Sequence, residues 1–142
     1  MILVDLNILL YAVNRDSPEY ARASGWLRSV LEAGEESVGL AWVVLLGFLR
    51  LASSPRLFPR PLTTDEASQF VDALLNQQLV RKVLPTEGHW PLLRHLLAVT
   101  GTGGNLVTNA HIAAFALEYN AKIATRDTDF SRFPGITVVR PF

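Results

Sequence analysis

The sequence predicts an α/β fold with three layers, in which helices flank a mainly parallel sheet of four or five strands. Three observations lead to this prediction. Apolar segments of four or five residues recur along the chain, and longer segments with helical patterns separate them. Continuous apolar runs are typical of strands that are buried on both faces. Helices between successive strands supply the crossover connections that parallel strands need.

Helix-start and helix-end signals lie between the predicted strands. Ser17 and Pro18 have the N-cap and first-position pattern of a helix that ends just before Gly34. Thr63 and Glu66 have the spacing of a capping box. The strands are predicted over residues 2–5, 37–40, 80–84, 122–125 and 136–139. The helices are predicted over residues 7–13, 18–33, 42–52, 64–77, 87–99 and 106–119, with a glycine-rich loop over 100–105.

Length and composition limit the classes of protein to consider. The 142 residues suit a single domain, residues 1–142, and the hydrophobic fraction of 49% argues against disorder. The absence of cysteine excludes disulfides, thiol nucleophiles and thiolate metal sites. Because 13 basic residues balance 13 acidic ones, nucleic acid binding would need a local basic patch. The N-terminus lacks the basic start of a signal peptide and the apolar run over 38–49 is too short to span a bilayer, so we expect a soluble, cytoplasmic protein.

Three carboxylates follow two of the predicted strands. Asp5 ends the first strand, while Asp127 and Asp129 come directly after the fourth. Taken alone, Asp5 is equally well read as a helix N-cap, and Asp127 as a turn residue. Ligands of parallel sheets bind beyond the carboxyl ends of the strands, and three acids gathered there would raise one another's pKa unless a cation lay among them. A site made of oxygen ligands favours Mg²⁺ or Mn²⁺ over zinc.

One amide lies where it could join these acids. Asn109 shares a helix face with Ala113 and Ala116, and the alanines would let this helix pack close to the sheet. On spacing alone, a plain polar residue of the first helical turn is the better interpretation of Asn109. His89, His95 and His111 are spread over two predicted helices, so we expect them to be structural or surface residues rather than metal ligands.

Several segments together resemble a known family. "MILVDLNILLYA", "LAWVVLLGFLRLASSPRLFPRPLTTDEA", "GNLVTNAHIAAFA" and "IATRDTDFSRFPGITVVRP" are similar to PIN-domain proteins, and more narrowly to the VapC toxins of bacterial toxin–antitoxin pairs. The resemblance covers nearly the whole chain, and the ordered set of motifs is specific although each motif alone is weak. It implies a PIN-like fold and a Mg²⁺- or Mn²⁺-dependent endoribonuclease that cleaves RNA. It also implies a homodimer and a VapB-type antitoxin whose tail covers an acidic pocket.

The resemblance assigns roles residue by residue. Asp5 matches the first family acid, Asp127 and Asp129 match the C-terminal acids, and Asn7 and Thr125 match small polar residues that line the pocket. Asp5, Asp127 and the residue at position 109 would then hold the metal ion.

Two positions depart from the family pattern. The family usually has Asp where this chain has Asn109, and many members carry a Glu where this chain has Gly47. The first departure removes a negative charge from the pocket and predicts weakened metal binding and slow or absent cleavage. A catalytically impaired PIN scaffold that binds antitoxin or RNA without cleaving is therefore the alternative function.

Arginine residues near the acids are candidates for phosphate contacts, because a guanidinium suits a bidentate contact with phosphate. Arg126 and Arg132 are the first candidates, with Arg56 and Arg60 in the proline-rich loop as weaker ones; the alternative for each is a solvated surface charge. Two other α/β classes fit poorly. A haloacid dehalogenase-type phosphatase needs an acid where this chain has Asn7, and a receiver domain needs a lysine after a late strand, which neither Lys82 nor Lys122 supplies.

Overall fold

The computed structural model describes residues 1–101 and 103–142 and contains one five-stranded parallel sheet. The strands lie in the order β3-β2-β1-β4-β5, and every neighbouring pair is parallel. This confirms the predicted α/β class and the strand count. The loop predicted over residues 100–105 includes residue 102, which lies outside the described residues. The strands are β1 Ile2–Val4, β2 Val38–Ala41, β3 Val80–Val83, β4 Lys122–Ala124 and β5 Thr137–Val139.

Helices connect the strands and cover the sheet. The helix predicted after Ser17 begins later, because the Ser17 carbonyl accepts a hydrogen bond from Tyr20 across a tight turn. The first α-helical bond of this helix runs from Ala23 to Glu19, and Gly34 ends it in the left-handed conformation. The capping box of Thr63 and Glu66 is present as predicted. The helices are α1 Leu6–Val13, α2 Tyr20–Ala33, α3 Trp42–Ala52, α4 Thr64–Leu75, α5 His89–Thr100 and α6 Leu106–Glu118, and a 3₁₀ turn spans Thr128–Arg132.

Strand order brings the two acidic chain segments together. β1 lies in the centre of the sheet, between β2 and β4. The register pairs Val4 with Ala124, and the Asp5 amide donates to the Ala124 carbonyl at 3.0 Å. Asp5 and Thr125 therefore leave the sheet side by side, at the carboxyl ends of adjacent parallel strands.

Small residues hold α6 close to this edge of the sheet. Ala113, Ala114 and Ala116 are buried, and Phe115 packs among them. Close packing of this kind sets the distance at which a polar residue in the first turns of α6 faces the strand ends. None of the described helices combines the length and apolar character needed to cross a membrane.

Candidate active site

A cleft of about 240 Å³ opens at the carboxyl ends of β1 and β4. Its polar lining comes from both ends of the chain, since Asp5 and Asn7 follow β1 whereas Asp127 follows β4. Asn109 on α6 completes the polar part of the lining together with Thr108. The apolar wall, which sequence patterns did not identify, consists of Leu6, Leu10, Val43, Val44 and Ile112.

Asp5 is held rigidly at the junction of β1 and α1. Its Oδ1 accepts from the Leu6 amide at 2.7 Å, so it caps α1, as the alternative interpretation of this residue expected. Its Oδ2 accepts from the amide of Asn7 at 2.7 Å and from the hydroxyl of Thr125 at 2.6 Å. Burial raises the pKa of Asp5, and the nearby charge of Asp127 adds to the rise, while the hydrogen bonds from Thr125, Leu6 and Asn7 partly offset it.

Thr125 connects the two chain segments. Its side chain is fully buried, and its hydroxyl donates to Asp5 while it accepts from the Asp127 amide at 2.9 Å and from Asn7 at 3.1 Å. Asn7 in turn accepts from the Arg126 amide at 3.2 Å. Neutral side chains therefore fix the relative positions of the acids that follow β1 and β4.

Asp127 faces the cleft and is held from two sides. Its Oδ1 accepts from the Asp129 amide at 2.8 Å, which forms the start of the 3₁₀ turn. Its Oδ2 accepts from the Asn109 amide at 2.9 Å. Asn109 thus projects from the fourth residue of α6 into the acidic pair rather than into solvent.

The remaining residues assigned from the sequence point elsewhere. Asp129 is not part of the cleft lining, and its carboxylate lies 3.4 Å from Nε of Arg132 in an exposed ion pair. The Arg126 guanidinium contacts Phe142. Arg60 pairs with Asp16, away from the cleft.

The oxygen ligands of the cleft suit a divalent cation, but only two of the side chains that supply them are carboxylates. Asp5 and Asp127 supply carboxylate oxygens, which hard divalent cations prefer, and the Asn109 amide could present one further oxygen after rotation. Among residues 1–101 and 103–142, no three His, Cys, Asp or Glu side chains come together closely enough to hold a metal ion. The side chain at position 109 is a neutral amide, so it adds no third negative charge to the cleft.

Gly47 on α3 is the position at which many members of the resembling family carry a Glu. This glycine is buried, and a Cβ at position 47 would lie 2.8 Å from Cδ2 of Leu6. Leu6 lines the cleft, so its side chain fills the space into which a residue at position 47 would project. The two residues are complementary in volume, and this wall of the cleft is apolar.

A histidine cluster lies on the outer side of α6, and the sequence did not reveal it. Nε2 of His89 lies 2.7 Å from Nδ1 of His111, and Nδ1 of His89 lies 2.5 Å from Glu118. Burial lowers the pKa of His111, with a further contribution from His89. Spacing within one helix could not find this cluster because its members come from α5 and α6. The cluster joins α5 to α6, which agrees with the structural role expected for His89 and His111. His95 is exposed and lies at the surface.

Comparison with known proteins identifies the family. The family model described as the PIN domain matches residues 2–136. The chain is 45% identical over 142 residues to ribonuclease VapC37 of Mycobacterium tuberculosis, covering 99% of this chain and 97% of the relative. It is 37% identical over 141 residues to ribonuclease VapC33 of the same species, covering 99% and 98%.

Solved structures share the fold at low sequence identity. VapC20 of Mycobacterium tuberculosis, described as a sarcin–ricin loop cleaving toxin, matches with a TM-score of 0.73 at 18% identity and covers 99% of this chain and 100% of that chain. The VapBC2 complex of Rickettsia felis, bound to a promoter DNA fragment, matches with a TM-score of 0.71 at 19% identity and covers 98% of both chains. The chain therefore belongs to the PIN domain family, and its relatives within that family are VapC ribonucleases.

Proposed function

We propose that this chain is the ribonuclease toxin of a VapBC-type toxin–antitoxin pair and that it acts on RNA in the cytoplasm. The observation that carries the proposal is the cleft in which Asp5 and Asp127 face each other across the ends of β1 and β4. Relatives named as ribonucleases along the full length of the chain support the same activity. We further propose that residues 1–142 form a single PIN-like domain.

Mg²⁺ or Mn²⁺ is the cofactor that fits this chemistry. Asp5 and Asp127 would hold the ion, with the side-chain oxygen of Asn109 as a neutral third ligand. When bound, such an ion supplies an activated water and compensates the charge that develops on the scissile phosphate.

The protein's own residues prepare this cleft for a phosphodiester. Thr125 and Asn7 orient the Asp5 carboxylate, so its position depends little on the ion. Asp129 orients Asp127 through its main-chain amide, while its carboxylate pairs with Arg132 outside the cleft lining. Arg126 and Arg132 are the proposed phosphate contacts.

Asn109 determines how active the chain is. Substitutions outside the ligand shell typically reduce metal affinity or activity about 10–100-fold. Loss of a charge within the pocket should lower the metal affinity and the cleavage rate at least as much. A second function therefore has specific support: the hydrogen bond that the Asn109 side chain donates to Asp127 favours a PIN scaffold that binds antitoxin or RNA without cleaving.

RNA cleavage with and without a chelator tests the proposal. Asn109→Asp should accelerate cleavage in Mn²⁺ or Mg²⁺, the chelator should abolish the gain, and Asp5→Asn added to Asn109→Asp should remove it. Asn76→Asp adds the same charge at the exposed end of α4 and serves as the matched control. Equal and negligible cleavage by the parent and by Asn109→Asp would favour the scaffold instead.

The proposed protein partner is a VapB-type antitoxin. A short helix or extended tail would place a basic side chain in the cleft, where it would compensate Asp5 and Asp127 as a metal ion does. Neutralising both residues, in Asp5→Asn/Asp127→Asn, should weaken antitoxin binding. Unchanged affinity would mean that the antitoxin does not use the acidic cleft.

A homodimer accounts for apolar side chains that the monomer leaves exposed. Trp42 and Leu46 on α3 are 49% and 58% exposed, and Trp90 on α5 is 62% exposed. Trp26 on α2, by contrast, is half-buried against the core. Sedimentation at micromolar concentration should reveal a dimer, and Leu46→Glu should dissociate it, whereas a monomeric parent would contradict the proposal.

A further inference from the structure

Three side chains form a cationic and aromatic cluster around Arg126, which follows β4 by two residues. The guanidinium carbons of Arg22 and Arg126 lie 5.8 Å and 5.3 Å from the ring centroid of Phe142. Tyr11 contacts the same ring edge-on, with centroids 6.3 Å apart. Arg126 also donates to the main-chain carbonyl of Phe142. Arg22, Arg126 and Phe142 are called the rim cluster below.

The rim cluster is coupled to the cleft through the main chain. Arg126 follows Thr125 directly, and its amide donates to Asn7, which lines the cleft. Arg140 follows β5, the neighbour of β4, at the same edge of the sheet. Arg22, Arg126 and Phe142 do not line the cleft themselves, and the main chain between Thr125 and Asp127 links the cluster to it.

Charge makes this cluster unusual in a chain with a formal net charge of zero. Two guanidinium groups within about 6 Å of one ring repel each other, although each is attracted to the face of the ring. Arg22 also pairs with Glu19, whereas the Arg126 guanidinium contacts the ring and the main-chain oxygen of Phe142. An anion that contacts both guanidinium groups would offset their like charges.

We propose that the rim cluster binds the backbone of single-stranded RNA beside the scissile position, and that Phe142 is the positioning residue that holds both guanidinium groups there. The inference rests on the proposed function and adds Arg22, Phe142 and Glu19 to it. Guanidinium planes beside aromatic rings are the chemistry with which proteins hold unpaired strands, through phosphate contacts and base stacking. Tyr11 extends the aromatic surface on the α1 side.

Binding of a labelled single-stranded oligoribonucleotide, followed by fluorescence anisotropy in chelator, tests this proposal without cleavage. Arg126→Gln should lower the affinity about tenfold, as expected for loss of one charge-assisted contact. It should also reduce the slope of log affinity against log salt by about 0.7. Arg22→Gln should act in the same direction. Glu19→Gln should raise the affinity, because it frees Arg22 and removes a negative charge.

Phe142 needs a readout that separates positioning from charge. Phe142→Leu should lower the affinity while net charge is unchanged, and Phe142→Tyr, which retains the ring, should restore it. The double variant Arg126→Gln/Phe142→Leu should lose less binding free energy than the two single variants lose together, because the ring acts through the guanidinium. Arg94→Gln on the exposed face of α5 is the matched control and should bind RNA nearly as the parent does.

The outcomes separate this inference from the proposed function. Unchanged affinity in Arg126→Gln and Phe142→Leu, or an equal loss in Arg94→Gln, overturns the role of the rim cluster even if RNA is cleaved. Loss of binding in the rim variants with no cleavage by any variant supports the rim cluster and contradicts the ribonuclease proposal. Failure of the parent chain to bind RNA overturns both. Melting temperatures of all variants confirm that each one is folded.

Discussion

The side-chain amide of Asn109 donates a 2.9 Å hydrogen bond to Oδ2 of Asp127. The amide thereby compensates part of the charge of a carboxylate whose proximity raises the pKa of Asp5. A neutral donor stands where a carboxylate would otherwise add a third negative charge. The metal-free cleft is therefore more stable in this chain than it would be with Asp at position 109.

Asn109→Asp should make folding stability dependent on metal. In chelator, the variant loses the hydrogen bond to Asp127 and gains a like charge, so its free energy of unfolding should fall by about 1–3 kcal/mol. Saturating Mn²⁺ should restore stability because only the folded cleft binds the ion. Urea denaturation with and without metal measures both effects. Equal stability in chelator would show that position 109 lies outside the acidic pair.

Asp5 should couple metal binding to protons. Because burial raises its pKa above the value in the unfolded chain, its contribution to stability is full below the unfolded pKa and is lost as pH rises through the folded one. Metal affinity should change in the opposite direction, because only the ionised carboxylate binds a cation. Calorimetric titration of Asn109→Asp with Mn²⁺ over weakly acidic to neutral pH should show affinity rising with pH. It should also show proton release on binding, and a pH-independent affinity would contradict this role of Asp5.

His89 should contribute strongly to the folding stability of the protein. It is 6% exposed and its ring links Glu118, whose side chain is 4% exposed, to His111. His89→Ala leaves the Glu118 carboxylate with fewer partners in a buried position and should cost about 3–5 kcal/mol of stability. His95→Ala on the exposed face of α5 should change stability by less than about 0.5 kcal/mol. Equal effects in urea denaturation would mean that the cluster contributes little to the docking of α5 on α6.

Gly47 and Leu6 should show strong energetic coupling. With Leu6 present, Gly47→Ala forces the tip of the Leu6 side chain to move, which should offset part or all of the gain in helix propensity. With Leu6→Ala, the same change meets no obstacle and should stabilise α3 by up to about 1 kcal/mol, the difference in helix propensity. A double-mutant cycle measures the difference between the two effects of Gly47→Ala. Additive effects would mean that Leu6 does not occupy the space beside Gly47.

The sequence was sufficient for the fold and for the elements that place the acids. Strong local signals define the positions of β1, α3 and the capping box at Thr63, and the structure reproduces them. The start of α2 was misplaced because Ser17 and Pro18 form a turn that precedes the helix. A local pattern does not distinguish these two uses of a serine before a proline.

Contacts between distant residues were beyond the reach of sequence patterns. Thr125 and Asp5 are 120 positions apart, and only the strand order makes them neighbours. The pairing of Asp129 with Arg132 and the contact of Arg126 with Phe142 depend on rotamers that spacing does not determine. The apolar wall of the cleft was missed for a related reason, because Leu6 and Val43 read as ordinary core positions.

The hydroxyl of Thr125 and the amide of Asn7 hold Asp5 and the main chain at Asp127 in place through neutral side chains. Asn109→Asp can therefore change the charge of the cleft while the surrounding fold stays the same. Asparagine and aspartate codons differ by a single nucleotide, so the cleft with two negative charges and the cleft with three are one mutational step apart.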